Sequence, residues 1–296
     1  MERSKHIKQP DAIFCSDLHL REDIPTCWTG DFQLEQWNAM NFIKNLQEEY
    51  SCPVFIAGDI FHHWKASPWL LSMAMEHFPK QAFCIAGQHD LPQHAMNLIN
   101  KSGLFTLAQA GYVTILDECH WGQEPKEGSY YFKNYDCHLL VWHHLTYLSK
   151  PFPDAVGGMA ESILRKWNKF SIILTGDNHQ SFTIEYQGRR LVNPGSMTRQ
   201  TADQIDFKPS VYLWFAEDNT VKRILLPIVE GVISREHIDI KEQRDARIDA
   251  FVSKLNGEYV AEMSFEDNLE SFFKVNSIRE PVKEIIYKSL ENGKIN

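Results

Sequence analysis

The sequence predicts an α/β fold with helices covering a mostly parallel or mixed sheet, on three observations. Short apolar runs recur without alternation, helix-patterned stretches separate several of them, and hairpin spacing takes over in the second half. The runs are residues 12–15, 54–57, 82–86, 113–116, 139–142 and 172–175. A strand with one wet face alternates apolar and polar residues, so a continuous run implies burial on both faces. Between the first two runs, residues 32–50 carry apolar side chains at 34, 37, 42, 43 and 46, one face of a helix. Ser67 and Pro68 offer an N-cap and a first-turn proline for a helix over 69–78. Residues 160–167 fill the gap before the run at 172. From Phe182 the texture changes: 182–186 and 191–193 flank a Gln187-Gly188 turn, and 211–215 and 221–227 flank Asp218-Asn219. That spacing predicts an antiparallel second half.

Beyond about residue 235 the chain turns charged and helical. Ile248, Phe251, Val252 and Leu255 share one helical face; Val282, Ile285, Ile286 and Leu290 share another, with Pro281 near its start. The expected organisation is a core over 1–235 and a small helical appendage over 236–296.

Composition narrows the class. With 296 residues, 43% hydrophobic and 23% charged, the chain excludes disorder, collagen and small disulfide scaffolds. No apolar run approaches the roughly 20 residues of a bilayer span, and the first residues lack a signal-peptide pattern, so a cytoplasmic protein with no membrane partner is expected. The six cysteines (15, 27, 52, 84, 119 and 137) form no CxxC pair, which suits small buried hydrophobes in a reducing compartment. Thirty basic against 39 acidic residues leave a net charge of −9, which counts against a large nucleic-acid footprint. A local basic stripe, or acidic groups neutralised by bound cations, is compatible with that total.

The chemistry lies just after the apolar runs. The first is followed by Ser16-Asp17-Leu18-His19, the second by Gly58-Asp59-Ile60-Phe61-His62-His63, and the third by Gly87-Gln88-His89-Asp90. The run at 139–142 leads into His143-His144, and that at 172–175 into Gly176-Asp177-Asn178-His179. Seven of the 13 histidines thus follow a predicted strand. Strand carboxyl ends share one edge of an α/β sheet, where ligands bind. Carboxylates and imidazoles are costly to cluster without a cation, so the pattern points to a metal site. Taken singly, His62-His63 and His143-His144 read equally well as capping or packed core histidines, and each Gly-Asp as a solvated turn. The ordered set of five carries the signal.

In that order the blocks resemble the calcineurin-like metallophosphoesterase superfamily. Gly58-Asp59-Ile60-Phe61-His62 with Ser67-Pro68, and the segment Val192-Asn193-Pro194-Gly195-Ser196-Met197-Thr198-Arg199, are similar to SbcD-like nuclease subunits of double-strand-break repair complexes. Gly87-Gln88-His89-Asp90-Leu91-Pro92 and Gly176-Asp177-Asn178-His179 are most like phage-type members. The resemblance covers about residues 12–228 and implies a four-layer αββα sandwich. It further implies two divalent ions, manganese in most members and magnesium as the alternative. Asp17, His19 and His179 would hold one ion, Asp59 would bridge, and Gln88, His143 and Asp177 would hold the other, with His143 preferred over His144. His89, oriented by Asp90, would serve the leaving oxygen, and His62 matches a second catalytic histidine of the nuclease branch. The activity implied is two-metal hydrolysis of DNA phosphodiesters, exonucleolytic or endonucleolytic, in repair or recombination.

Two departures from the family pattern stand out. Gln88 replaces the usual Asn, one methylene longer, and Asp177 replaces a usual His, adding a negative charge beside two cations. The expectation is a stronger preference for hard metals and a less acidified water. Lys65, Arg189, Arg190 and Arg199 are the candidate DNA contacts, with Arg165, Lys166 and Lys169 nearby in kind. Trp64, Trp69 and Trp142 could stack on bases or simply pack. The partners implied are DNA, an SbcC-like coiled-coil ATPase docking through Ile285, Ile286 and Leu290, and a second copy of the chain in a homodimer. The acidic total keeps open a phosphodiesterase or phosphatase for small nucleotides, and Gln88 and Asp177 keep open an interaction protein with a decayed site.

Overall fold

Alternate residues of the first apolar run face two different cores. In the computed structural model, which describes residues 8–116, 120–125, 130–150, 154–258 and 264–293, strand β1 (Ala12–Cys15) is wholly buried. Ile13 and Cys15 join one apolar cluster, whereas Ala12 and Phe14 join another. The same division holds along β2 (Val54–Ile56), and β3 (Ala82–Cys84) and β4 (Thr114–Ile115) extend the sheet in parallel.

The second sheet is built on β6 (Cys137–His143), which pairs antiparallel with the short edge strand β5 (Tyr130–Phe132). Two-residue strands β7 (Thr146–Tyr147) and β8 (Gly158–Met159) pair only with each other. Then β9 (Ile172–Gly176) lies parallel to β6, and the hairpin β10 (Phe182–Tyr186) and β11 (Arg189–Asn193) completes the order β10-β11-β9-β6-β5. Gln187 and Gly188 both take left-handed φ at its turn, the geometry that matches strand twist. The chain returns to the first sheet through β12 (Ser210–Phe215) and β13 (Thr220–Leu225), giving the order β13-β12-β1-β2-β3-β4. The expected antiparallel second half is therefore corrected in part. Both hairpins are antiparallel, but β11 runs parallel to β9 because its hairpin partner is the outer strand.

Helices cover the outer faces. Helix α1 (Phe32–Tyr50) is capped by Asp31, which accepts from the Leu34 N–H at 3.0 Å. Helix α2 (Pro68–His77) is capped by Ser67, accepting from Leu70 at 3.1 Å, with proline in its first turn. These two and α3 (Gly103–Gln109) pack on the first sheet through Met40, Ile43, Leu70, Ala74, Leu104 and Leu107. Helix α4 (Ala160–Lys166) covers the second sheet, setting Ile163 and Leu164 against Leu140, Ile173 and Leu191. Between the sheets Phe14 stacks on Trp214 at 5.7 Å and meets Phe55 edge-on at 6.2 Å. The layers are helix, sheet, sheet, helix. Truncating Phe14 to alanine would cost about 3–5 kcal/mol.

The chain divides into two compact units, Met1–Ser234 and Arg235–Asn296. The second contains α5 (Glu236–Glu258), α6 (Phe265–Val275) and α7 (Glu280–Gly293). Its small core is Leu269, Phe272 and Phe273, packed by Ile286, Tyr287 and Leu290. Two residues of the expected docking face are thus used inside the unit, while Ile285 stays 65% exposed. The expected face of Phe251, Val252 and Leu255 falls among side chains outside the described ones, as does Cys119. The five described cysteines are free and buried. Among the described residues no helix is long and apolar enough to cross a membrane.

Candidate metal centre

The parallel strands β1, β2, β3, β6 and β9 end on one shared edge, and their loops are stitched together there. Asp17 donates its N–H to the Gly58 carbonyl at 3.1 Å, His19 to Asp59 at 2.9 Å, and Leu20 to Ile60 at 2.9 Å. The loops after β1 and β2 therefore run as an extended pair that aligns Asp17, His19 and Asp59. Each of these three, and Asp177, has left-handed φ (between 45° and 76°), a conformation that non-glycine residues keep only where surrounding contacts enforce it. At Gly87 any Cβ would run into the Asp59 carboxylate and backbone.

Segment 192–199 acts as the scaffold for the fifth loop. Asn193 donates from Nδ2 to the carbonyls of Asn178 at 2.6 Å and Gln180 at 2.7 Å, and its Oδ1 accepts from Thr175 at 3.0 Å. Ser16 donates to the Gly195 carbonyl at 3.0 Å, and Met197 donates its N–H to Asp17 at 3.1 Å. His179 is thereby fixed against the β1 loop. Asn178, quoted above without a role, ties this loop to the Thr146 carbonyl at 2.7 Å. Only its position between Asp177 and His179 could have flagged it.

The predicted ligand residues converge. Ligand atoms of Asp17, His19 and His179 lie within 4.8 Å of one another, as do those of Asp17, Asp59 and His143. The Nε2 atoms of His19 and His179 stand 3.1 Å apart, and His143 Nε2 is 3.3 Å from Asp59 Oδ2. Gln88 donates from Nε2 to Asp177 Oδ1 at 2.6 Å, and the Asp177 N–H reaches Asp17 Oδ1 at 3.0 Å. His143 holds the inner position. Its neighbour His144 instead stacks on Trp142, with ring centroids 4.0 Å apart.

These residues fit a metal. Asp17 Oδ2 and Gln88 Oε1 are buried without a hydrogen-bond partner, and Asp59 Oδ2 and His143 Nε2 face each other at 3.3 Å. Such orphaned atoms are costly, and oxygen and imidazole donors around a divalent cation remove the cost. The protonation states agree in part. Burial holds His19 well below the usual imidazole range and His62 at about 4, so both imidazoles are neutral at pH 7. Burial would depress His143 as well, but Asp59, together with Asp17 and Asp177, outweighs it and holds His143 at about 10. Burial alone would raise Asp59, and that imidazolium keeps it lowered instead. The pair is an internal salt bridge that an incoming cation would have to replace.

The catalytic expectations divide. His89 and His62 lie together, rings stacked at 5.4 Å, and His89 Nδ1 donates to the His62 carbonyl at 2.8 Å. Ligand atoms of His19, His62 and His89 form a third close group. The expected orientation of His89 by Asp90 is corrected. The wholly buried Asp90 carboxylate accepts from the N–H groups of Ile60, Phe61 and Gly87 at 3.0–3.1 Å, clamping two loops. Burial, with the nearby Asp59 charge, pushes Asp90 up to about 7.

Of the four candidate DNA-contacting cations, one is buried and two lie at the sheet edge away from the cluster. Arg199 is 1% exposed, 3.3 Å from Glu35, bonded to the Val229 carbonyl at 2.7 Å and 5.4 Å above the Trp28 ring. Arg189 and Arg190 start β11, opposite Tyr186 and Glu185 of its hairpin partner, and Arg190 aligns with Ile172 at the amino end of β9. That is the sheet edge away from the cluster. Arg189 donates to the Leu164 carbonyl, and Arg190 to Glu185 at 2.5 Å and the Asn219 carbonyl at 2.9 Å. Lys65 is exposed and follows the His62 loop.

A layered helix–sheet–sheet–helix fold with a buried Asp and His cluster on its strand ends defines a metal-dependent hydrolase class. Residues 12–227 match the family model for calcineurin-like phosphoesterases, and the chain belongs to that family. Its members bind two divalent metals and hydrolyse phosphoester bonds. Among solved structures, the chain is similar to an archaeal phosphodiesterase at 11% identity, covering 73% of this chain and 99% of that one, with a TM-score of 0.42. It is similar to a candidate 5′-nucleotidase from Staphylococcus aureus at 15% identity, covering 79% and 58%, with a TM-score of 0.44. The protein TT1561 of Thermus thermophilus matches at 11% identity, covering 74% and 100%, with a TM-score of 0.42. No curated protein matches.

Proposed function

We propose that the chain is a DNA nuclease that hydrolyses phosphodiester bonds with two divalent ions, manganese the first choice, in a repair or recombination assembly. Asp17, His19 and His179 hold one ion, Asp59 is shared, and Gln88, His143 and Asp177 hold the other. Bound there, the ions supply Lewis acidity and a lowered pKa for water. The reading is carried by the stacked His62 and His89 pair beside the cluster. With Nδ1 bound to the His62 carbonyl, His89 has Nε2 left to exchange a proton with the leaving oxygen. His62, neutral and half-buried, packs against the ring that does so. The test is incubation with end-labelled single- and double-stranded DNA in Mn²⁺, Mg²⁺ or chelator, beside a nitrophenyl phosphodiester. Metal-dependent DNA cleavage is expected; cleavage of the ester with DNA untouched would overturn the nuclease reading.

The withdrawal of Arg189, Arg190 and Arg199 favours a second reading, a small-nucleotide phosphodiesterase. Salt separates the two, since DNA held through phosphates weakens steeply with ionic strength. Within the first reading, the Arg235–Asn296 unit docks the coiled-coil ATPase, supported by exposed Ile240, Ile248 and Ile285. Removal of residues 276–296 should then abolish ATPase binding, and intact binding would refute it.

A further inference from the structure

Beside the proposed ion pair, three imidazoles form a group of their own. The rings of His19, His62 and His89 have centroids 4.9, 5.4 and 5.5 Å apart, and one nitrogen of each lies within 4.8 Å of the other two. Three nitrogens held about 2.0–2.1 Å from a tetrahedral zinc ion stand about 3.4 Å from one another. Small side-chain rotations therefore close this group around one ion.

The roles described above leave nitrogens for it. His89 donates from Nδ1 to the His62 carbonyl at 2.8 Å, so its Nε2 carries the lone pair. A ring N–H on a backbone carbonyl is the usual way a metal-ligating histidine is oriented. His19 sets Nε2 3.1 Å from His179 Nε2, on the side of the ion pair, while its Nδ1 is buried without a partner, as is His62 Nδ1. His19 thus has one nitrogen for each site, and coordination at both sends its ring proton to solvent. Burial keeps the His62 ring neutral, so no proton has to leave it first. Arg21, whose charge His62 feels, is neutralised by Asp23. His62 and His89 are half-buried, which leaves a way in and room for water as a fourth ligand.

The donor set selects the ion. Carboxylate and amide oxygens around Asp59 suit Mn²⁺ and Mg²⁺, whereas a group of imidazoles without carboxylate suits Zn²⁺.

We propose that His19, His62 and His89 form a third ion site that takes zinc in preference to manganese, and that zinc bound there silences hydrolysis by occupying the His89 nitrogen. The silencing rests on the proton-exchange role given to His89 under the proposed function; the binding does not.

The experiment counts ions and follows rate in the same samples. Full-length protein saturated with Mn²⁺ is dialysed against a low concentration of Zn²⁺ in continued Mn²⁺ excess, and both metals are measured per chain. Wild type should hold two manganese ions and one zinc ion, and so should His138→Ala, which removes an exposed histidine outside the group. His62→Ala and His62→Gln should keep the manganese and lose the zinc. No zinc uptake, zinc that replaces manganese ion for ion, or zinc retained in both His62 variants overturns the site. Bound zinc should lower wild-type hydrolysis of the nitrophenyl phosphodiester about tenfold or more. Chelator followed by Mn²⁺ should restore it. Unchanged hydrolysis with the third ion in place overturns the silencing. One His62-dependent zinc on a chain that holds no manganese or cleaves no ester supports the site and refutes the hydrolase reading, so the two failures are distinct.

Discussion

His143 donates from Nδ1 to the Ala57 carbonyl at 2.6 Å, and its Nε2 faces Asp59 Oδ2 at 3.3 Å. The first contact fixes the ring so that the second nitrogen points into the cluster. Without metal, that nitrogen carries a proton because Asp59, with Asp17 and Asp177, outweighs burial and holds the imidazole at about 10. The folded state then binds this proton more tightly than the unfolded chain, whose histidine titrates near 6.5. The His143 contribution to stability is full below about pH 6.5 and is lost as pH rises toward 10. Metal-free protein should therefore lose stability across that window in urea unfolding at successive pH values. Metal binding should release about one proton near pH 7.5 and tighten with pH. Calorimetry in buffers of different ionisation enthalpy that finds no proton release would refute this.

In the proposed ligand set Asp177 is a charged group where the family pattern has a neutral histidine, and it accepts from Gln88 at 2.6 Å. Asp177→His should shift the activity–pH profile to lower pH and move metal preference from Mn²⁺ and Mg²⁺ toward softer ions such as Zn²⁺. An unchanged profile with unchanged preference would remove the idea that this carboxylate tunes the site.

Asp90 and His89, adjacent in sequence, should separate by experiment. Asp90→Ala leaves three buried N–H groups without an acceptor and should cost about 3–5 kcal/mol of stability. His89→Ala should leave stability within about 1 kcal/mol while lowering kcat about 100-fold or more. Denaturant unfolding and steady-state kinetics on the nitrophenyl ester report both. A stable Asp90→Ala protein would show that the clamp is unimportant.

Arg199→Ala would leave the buried Glu35 carboxylate without its cation, holding only the Val229 N–H at 2.8 Å, for a predicted loss of about 3–5 kcal/mol. At a temperature where the variant stays folded, its DNA affinity should match wild type. A weakened DNA complex with unaltered unfolding would return Arg199 to the binding surface.

The strand ends were legible because each core strand is buried on both faces and so leaves a continuous apolar run. Asp17, Asp59, His143 and Asp177 simply follow those runs. Short edge elements left no such mark. β5 exposes Tyr131, and β7 and β8 have two residues each, too few for any period. The direction of a side chain was equally illegible. Asp90 follows His89 in sequence but points its carboxylate back to the 60–61 backbone, a consequence of loop pairing. Arg199 finds Glu35, 164 residues away, and nothing local announces that partner. Arg189 and Arg190 are candidate DNA contacts by charge, but the direction of β11 carries them to the far edge.

Enclosure of two divalent ions around Asp59 by these five loops is checked by counting bound metal. Equilibrium dialysis against Mn²⁺ followed by elemental analysis should give two ions per chain in wild type and at most one in Asp59→Asn. A wild-type protein that binds none, or that binds equally well without Asp59, would refute the two-ion site.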